Sequence, residues 1–262
     1  MKISIVIPVY NSEKILNELI DQLKKNLLNL TDDFEIILVN DYSKDKSWEK
    51  IKFLTQQNSF LKGINLIKNH GQHNAILAGL NYANADFFIL MDDDLQHDPN
   101  SLDKIIHQLK IGNDACYVKY LKRKHVIWKK IVSWLNNILT SVLVGKPTKI
   151  YTSSFKGFNK KVKNCIIASK EVEIFIDWPI IENAKKISVV EIYHKNRFFG
   201  ETNYDLKNLL LLWSTMIYNI KAKSKLSYFL LFVLKFLIKN ILYKLIKKRD
   251  INKQFIILSK TF

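Results

Sequence analysis

Asp92-Asp93-Asp94-Leu95-Gln96 places three adjacent carboxylates directly after an apolar run, Asp86–Met91. Like charges this close disfavour one another's ionised forms, and a buried strand end offers little water to screen them. A hard divalent cation supplies the missing charge and takes oxygen ligands. In an extended segment, positions 92, 94 and 96 point to one side. Asp92, Asp94 and the Gln96 amide oxygen could thus face one Mg²⁺ or Mn²⁺. An ion with positions open to phosphate oxygens neutralises the charge that grows on a diphosphate leaving group. The alternative is a solvated acidic turn ahead of a helix, with Asp98 as N-cap and Asp93 merely exposed. Asp41 follows a second apolar run and could accept a hydrogen bond from a base or ribose. Asn40-Asp41-Tyr42-Ser43 is equally a common turn sequence. His70, His73 and His97 are neighbours of these residues, but an oxygen cluster suits a hard ion better than imidazole does.

The elements that must position these residues alternate. Ile3–Val9, Glu35–Val39, Gly63–Ile67 and Asp86–Met91 read as buried strands. Between them, helical spacing runs over Glu13–Leu30, Asp45–Gln57 (with Ser43 as N-cap) and His73–Ala83. Pro99 suits the first turn of a helix that reaches Leu109. This order predicts an α/β fold, a mostly parallel central sheet with helices on both faces. In such sheets ligands bind beyond the C-terminal ends of the strands. Those ends carry Pro8 to Asn11, Asn40-Asp41, Asn69-His70 and Asp92 to Asp94. Further on, Val126–Val144 is amphipathic, Thr152–Phe158 and Ile187–Tyr193 read as strands, and a long helix is expected from Tyr204 to about Ile220. No internal repeat is visible.

The 262 residues are 48% apolar and include only 7 Gly and 4 Pro, which excludes collagen-like and low-complexity chains. Cys116 and Cys165 form no disulfide framework and no metal motif, which fits a reducing compartment. Met1–Pro8 is too short and too strand-like for a signal peptide. The charge is uneven: residues 1–118 carry 12 basic and 16 acidic side chains, and residues 119–262 carry 29 and 8. Nucleic acid is one partner for a basic protein. An anionic membrane surface is the other, and the aromatic and aliphatic residues around the C-terminal lysines favour it. Leu226–Lys248 falls short of the roughly 20 apolar residues of a spanning helix, because Lys235 and Lys239 interrupt it. It reads as an in-plane amphipathic helix with snorkelling lysines. An ordinary packed helix or a dimer contact is the alternative. Trp128, Trp134 and Trp213 could edge such an interface or pack in the core.

Together these segments resemble the family 2 glycosyltransferases of GT-A fold, in particular their polyprenyl-phosphate sugar transferases. Ile7-Pro8-Val9-Tyr10-Asn11 looks like the opening strand and loop, and Val39 to Asp45 looks like the V-D-D-x-S-x-D element. Met91 to Pro99 (MDDDLQHDP) looks like the D-x-D-x-Q-H-x-P metal motif, and Asn69 to Ala75 is similar to N-x-G-Q-x-x-A. Thr152 to Phe158 looks like T-S-F-R-x-F, and Arg197 to Tyr204 with Lys207 looks like R-x-x-G-x-S-K/N-Y-x-x-x-K. The resemblance spans roughly residues 3–220. It implies a domain over 1–220 and a basic amphipathic tail over 221–262. It departs at Ser12, where the family often has Glu, at Asn40 in place of Asp, and at Asn203 in place of Lys. Most of these transferases also carry two C-terminal transmembrane helices, for which this sequence shows no equivalent run.

The resemblance implies a metal-dependent inverting transfer of a sugar from a nucleotide-diphosphate donor, most often UDP-linked. By position, Asp92, Asp94 and Gln96 would hold metal and diphosphate, with Asp93 beside them. Pro8, Tyr10 and Asp41 would contact the nucleoside. Arg197 would close over the diphosphate, supported by Thr202, Asn203 and Lys207. The expected acceptor is undecaprenyl or another polyprenyl phosphate, at the cytoplasmic face of a membrane to which the protein is peripheral. Lys122, Arg123 and Lys124 are candidates to hold the acceptor phosphate. Asp177 lies about where the family places a general base; it could equally be a helix N-cap ahead of Trp178-Pro179. A phosphate acceptor is already an anion and needs no base, whereas a saccharide hydroxyl does. Transfer to a glycan hydroxyl is therefore the second reading. A non-catalytic basic protein that binds membrane or nucleic acid is the third.

Overall fold

A computed structural model of the chain describes residues 1–121, 141, 150, 152–169, 175–193 and 255–262. Among them are eight strands: β1 (Ile3–Val9), β2 (Phe34–Asn40), β3 (Leu61–Leu66), β4 (Phe87–Leu90), β5 (Ala115–Leu121), β6 (Lys156–Asn159), β7 (Ile187–Tyr193) and β8 (Ile257–Lys260). The helices are α1 (Leu16–Leu28), α2 (Ser47–Gln57), α3 (Gln72–Tyr82), α4 (Leu102–Lys110, entered through a 3₁₀ turn at Pro99–Ser101), α5 (Lys160–Ala168) and α6 (Asp177–Asn183). The strands form one sheet in the order β7-β5-β6-β4-β1-β2-β3-β8.

The centre of the sheet, β4-β1-β2-β3, is parallel. Its apolar runs are continuous because both faces are covered. Along β1, Ile3, Ile5, Ile7 and Val9 join one core, while Val6 joins the other. Along β2, Ile36 and Leu38 divide from Ile37 and Val39 in the same way. The first core lies under α1, α2 and α4, and the second under α3, α5 and α6. Helix α1 buries Leu16, Leu19, Ile20, Leu23 and Leu27, the stripe that its sequence spacing predicts. Gly79 lets α3 press onto the sheet: a Cβ there would lie 2.4 Å from Val6 Cγ1.

Outside the parallel centre, β6 runs antiparallel to both β4 and β5, and β7 is parallel to β5. The sequence spacing gave no expectation for β5. Helix α2 starts at Ser47 rather than at a Ser43 cap. Asp45 Oδ1 accepts from the Ser47 amide at 3.0 Å, so the turn before the helix is made by Asp45. Asp98 does cap the turn at Pro99, accepting from the Asn100 amide at 3.1 Å. Residues 257–260 fall within the stretch expected to be a tail, and they are an antiparallel partner of β3. Among the described residues no helix is long and apolar enough to cross a membrane. The helices expected over 126–144, 204–220 and 226–248 lie outside the described residues.

Candidate active site

The C-terminal ends of β1, β2, β3 and β4 meet at one edge of the sheet. They bring together Pro8, Tyr10, Asp41, Asp92, Asp93 and Asp94, the residues expected to hold a donor. The loops after β1 and β2 are laced to each other. Ser43 Oγ accepts from the Asn11 amide at 3.0 Å, and Asn11 Oδ1 accepts from the Lys44 amide at 2.8 Å. Asn11 and Tyr42 hold left-handed backbones, φ 56° and 61°, the sharp turns that free Tyr10 to stand exposed. Pro8 is half-buried below it.

Asp41 is buried, and its carboxylate is the anchor of the turn before α3. Oδ1 accepts from the His70 amide at 2.7 Å and Oδ2 from the Gly71 amide at 2.9 Å. Asn69 Nδ2 donates to its carbonyl at 3.3 Å. Burial pushes the Asp41 carboxyl above its usual range, and the two amide donors oppose that. Gly71 accepts the tight turn with φ 85°. Asn40 stands where the family often has Asp, and its side-chain amide donates to Asn65 Oδ1 at 2.7 Å.

The three adjacent carboxylates do not share one set of partners. Strand β4 ends at Leu90, and Leu95 turns the chain with φ 59°. The alternation expected of an extended 92–96 segment is therefore broken. Asp92 Oδ1 accepts from Gln72 Nε2 at 2.5 Å, and Oδ2 lies 3.1 Å from His97 Nε2. His97 is buried, contacts Tyr120 Oη through Nδ1, and meets Ser154 Oγ at 3.2 Å. Burial would raise the Asp92 carboxyl, but His97, Ser154 and Lys156 together hold it below its usual range. Asp93 turns the other way: Oδ2 accepts from Ser12 Oγ at 2.5 Å and from the Tyr10 amide at 3.1 Å. Burial pushes the Asp93 carboxyl up to about 7; the Ser12 and Tyr10 donors oppose this, and the charges of Asp92 and Asp94 add to it. Asp94 Oδ1 accepts from the Gln96 amide at 3.1 Å.

Among the described residues no three His, Cys, Asp or Glu side chains converge as a ready-made metal cluster. The donors are nevertheless the right chemistry: hard carboxylate oxygens of three adjacent aspartates on a half-buried loop. Asp92 and Asp94 fit a divalent ion.

Asp177 is not an N-cap; it is the first residue of α6, after Ile176. It is 4% exposed. Its Oδ1 forms an ion pair with Lys156 Nζ and accepts from Tyr117 Oη at 2.8 Å. Lys156 is itself buried and pairs with Leu90 across β6 and β4 and with Tyr117 across β6 and β5. The pair thus stands beside the strand that leads into Asp92. His73 lies close enough to feel Asp177, Lys156 and Asp92; burial chiefly lowers its imidazole to about 4. Its ring packs against Phe175, centroids 4.6 Å apart. Burial, then Asp177, raises the Tyr117 hydroxyl well above its usual range.

Arg197, Thr202, Asn203 and Lys207, and the acceptor candidates Lys122, Arg123 and Lys124, lie outside the described residues. Sequence reasoning passed over Ser12, Gln72, Tyr117 and Lys156, and it weighed His97 only as a metal ligand. The signal for Gln72 and His97 was present in the motifs that contain them. Lys156 lies at the basic position of the T-S-F-R-x-F-like segment, whereas nothing local marks Tyr117; their meeting with Asp177 is made by the sheet.

A mixed sheet with carboxylates gathered at the mouth of its parallel strands is the arrangement of a GT-A nucleotide-sugar transferase. The glycosyl transferase family 2 model matches residues 4–167, and the chain belongs to that family. It is 32% identical over 219 residues to the undecaprenyl-phosphate 4-deoxy-4-formamido-L-arabinose transferase of Yersinia pestis (strain Pestoides F), covering 82% of this chain and 66% of that protein. The transferase of the same name from Photorhabdus laumondii is 31% identical, over 80% of this chain and 65% of that protein. The matched stretch thus spans just under two thirds of these relatives' length. Among solved structures, the Mycobacterium tuberculosis glucosyl-3-phosphoglycerate synthase with Mn²⁺, UDP and glucosyl-3-phosphoglycerate has the same fold (TM-score 0.61, 15% identity, 86% of this chain and 81% of that one). So does S. aureus TarS with UDP-GlcNAc (TM-score 0.53, 21% identity, 95% and 77%).

Proposed function

We propose that the protein transfers a sugar from a UDP-sugar to a polyprenyl phosphate, undecaprenyl phosphate being the acceptor to test first. The donor's nucleoside lies over Pro8, Tyr10 and the Asp41 turn, and its diphosphate faces Asp92 and Asp94. Those two carboxylates, with Gln96, would hold Mg²⁺ or Mn²⁺, which when bound neutralises charge on the departing diphosphate. Gln72 and His97 fix the orientation of Asp92 from both of its oxygens. Arg197, Thr202, Asn203 and Lys207 are assigned to the diphosphate, and Lys122, Arg123 and Lys124 to the acceptor phosphate. The basic residues of the second half bring the protein to the anionic cytoplasmic face of a membrane.

The observation that carries the choice of acceptor is Asp177. Inverting transfer to a hydroxyl needs a base that can take a proton. Asp177 is enclosed, paired with Lys156, and accepts from Tyr117 on the same oxygen. Its Oδ1 is thus already committed to two protein donors inside the fold, and a phosphate oxygen nucleophile has no proton to give. The names of the relatives support the same acceptor. The test is UDP release from a panel of UDP-sugars with Mn²⁺ in detergent, with and without undecaprenyl phosphate. Release that needs the lipid phosphate, and is lost in Asp94→Ala, is expected. Turnover that ignores the lipid phosphate but needs a saccharide would overturn the acceptor.

A further inference from the structure

The turn that Asp41 organises has a second anchor, nearly two hundred residues away in the chain. Beyond the end of β3, the Ile67 amide donates to the Ile256 carbonyl at 3.0 Å. The Ile256 amide in turn donates to His70 Nε2 at 3.3 Å. His70 is the residue whose own amide binds Asp41 Oδ1, and its carbonyl accepts from Asn74 Nδ2 at 3.1 Å. The antiparallel ladder of β3 and β8 therefore continues past its bulge at Asn65 and Leu66 and ends on the 67–71 turn. The far end of β8 is fixed separately. Thr261 Oγ1 accepts from the Gly63 amide at 2.8 Å, and Phe262 meets the Tyr82 ring edge-on at 5.5 Å.

We propose that β8 is a positioning strand of the donor site. Through the Ile256 amide it holds the His70 imidazole, and through His70 it sets the two amides that aim the Asp41 carboxylate. His70 is a positioning residue here, since it acts through Asp41. A short edge strand that only protected β3 from pairing with another chain would need no contact beyond the ladder. This one reaches past the ladder to a side chain of the nucleoside turn. In this bond the His70 Nε2 is the acceptor. The inference rests on the reading that Asp41 and its turn face the nucleoside.

The test is calorimetric binding of UDP with Mn²⁺ to the full chain and to six variants, each also melted thermally. Asp41→Ala tests the underlying reading and is expected to weaken UDP binding. His70→Phe keeps a ring but removes the acceptor, and Ile256→Pro removes the donor. Each should weaken UDP binding by about fivefold to tenfold, the worth of one hydrogen bond, and the double variant should be no worse than either alone. His70→Gln, whose side-chain oxygen can accept the same bond, should recover most of the loss. Thr261→Val, which breaks the far end of β8, should lower the melting temperature and leave UDP binding unchanged. If Asp41→Ala weakens binding while His70→Phe and Ile256→Pro do not, β8 is only an edge strand and the inference fails. If Asp41→Ala has no effect, the reading beneath it fails as well.

Discussion

Asp177 sits against Lys156 and Tyr117, whereas Asp93 sits against Ser12 Oγ, the Tyr10 amide and two more carboxylates. Both are enclosed near the mouth of the sheet. At Asp177 the fold provides its own cation, one buried charge against another. At the 92–94 loop three carboxylates lie side by side, Asp92 held by Gln72 and His97 and Asp93 by Ser12 and the Tyr10 amide, and burial drives the Asp93 carboxyl up to about 7. The difference separates two jobs. On the proposed reading, a carboxylate paired from within, as Asp177 is with Lys156, serves the architecture. On the same reading, a loop of three adjacent carboxylates suits a cation brought in with the phosphates it would neutralise.

The largest effect expected from breaking this contrast is at Asp94. Asp94→Ala should reduce UDP release by about 1,000-fold at saturating donor and Mn²⁺, because an ion's stabilisation of leaving-group charge is worth several kcal/mol. Next is the internal pair. Lys156→Met leaves Asp177 buried without its cation and should cost about 3–5 kcal/mol of folding stability in urea melts. Replacing both partners with apolar residues, Lys156→Met with Asp177→Leu, should recover most of that. A charge at Asp177 that served as a base would instead show a large activity loss in Asp177→Asn with stability unchanged.

His73 sharpens the contrast by pH. Its folded value, about 4, lies below the ordinary 6.5, so the fold holds it neutral. As pH falls below 6.5 the unfolded chain takes up a proton that the folded chain refuses. Stability is therefore lost progressively between pH 6.5 and 4, by about 3 kcal/mol in all. His73→Phe should flatten that part of the stability curve. The smallest effect is at Ser12: Ser12→Ala removes one of two donors to Asp93 and should lower activity by less than about tenfold, as one hydrogen bond is worth.

Much of the front of the molecule was legible because its signals are local. The runs Ile3–Val9 and Phe34–Asn40 carry apolar residues on both alternating sides, and they lie between cores on both faces. The acidic loop followed from its place after such a run. The rest depends on pairings between distant residues. Strand β6 carries Lys156 into the core only because β4 and β5 flank it, and nothing in Ser154-Phe155-Lys156-Gly157 marks that lysine as buried. Strand β8 is a four-residue edge with alternating exposure, and its surroundings in sequence are basic and apolar. Composition assigns it to a tail, and only its partner β3 reveals it as part of the sheet. The turn at Leu95 was hidden for another reason: a left-handed leucine is a conformation that its sequence does not announce.

The most direct test of the central claim compares undecaprenyl phosphate with undecaprenol as acceptors, with Mn²⁺ and the UDP-sugar that supports the highest turnover. If Asp177 is neutralised by Lys156 and the site works without a base, sugar should pass to the phosphate and not to the alcohol. Comparable transfer to undecaprenol, abolished in Asp177→Asn, would contradict it.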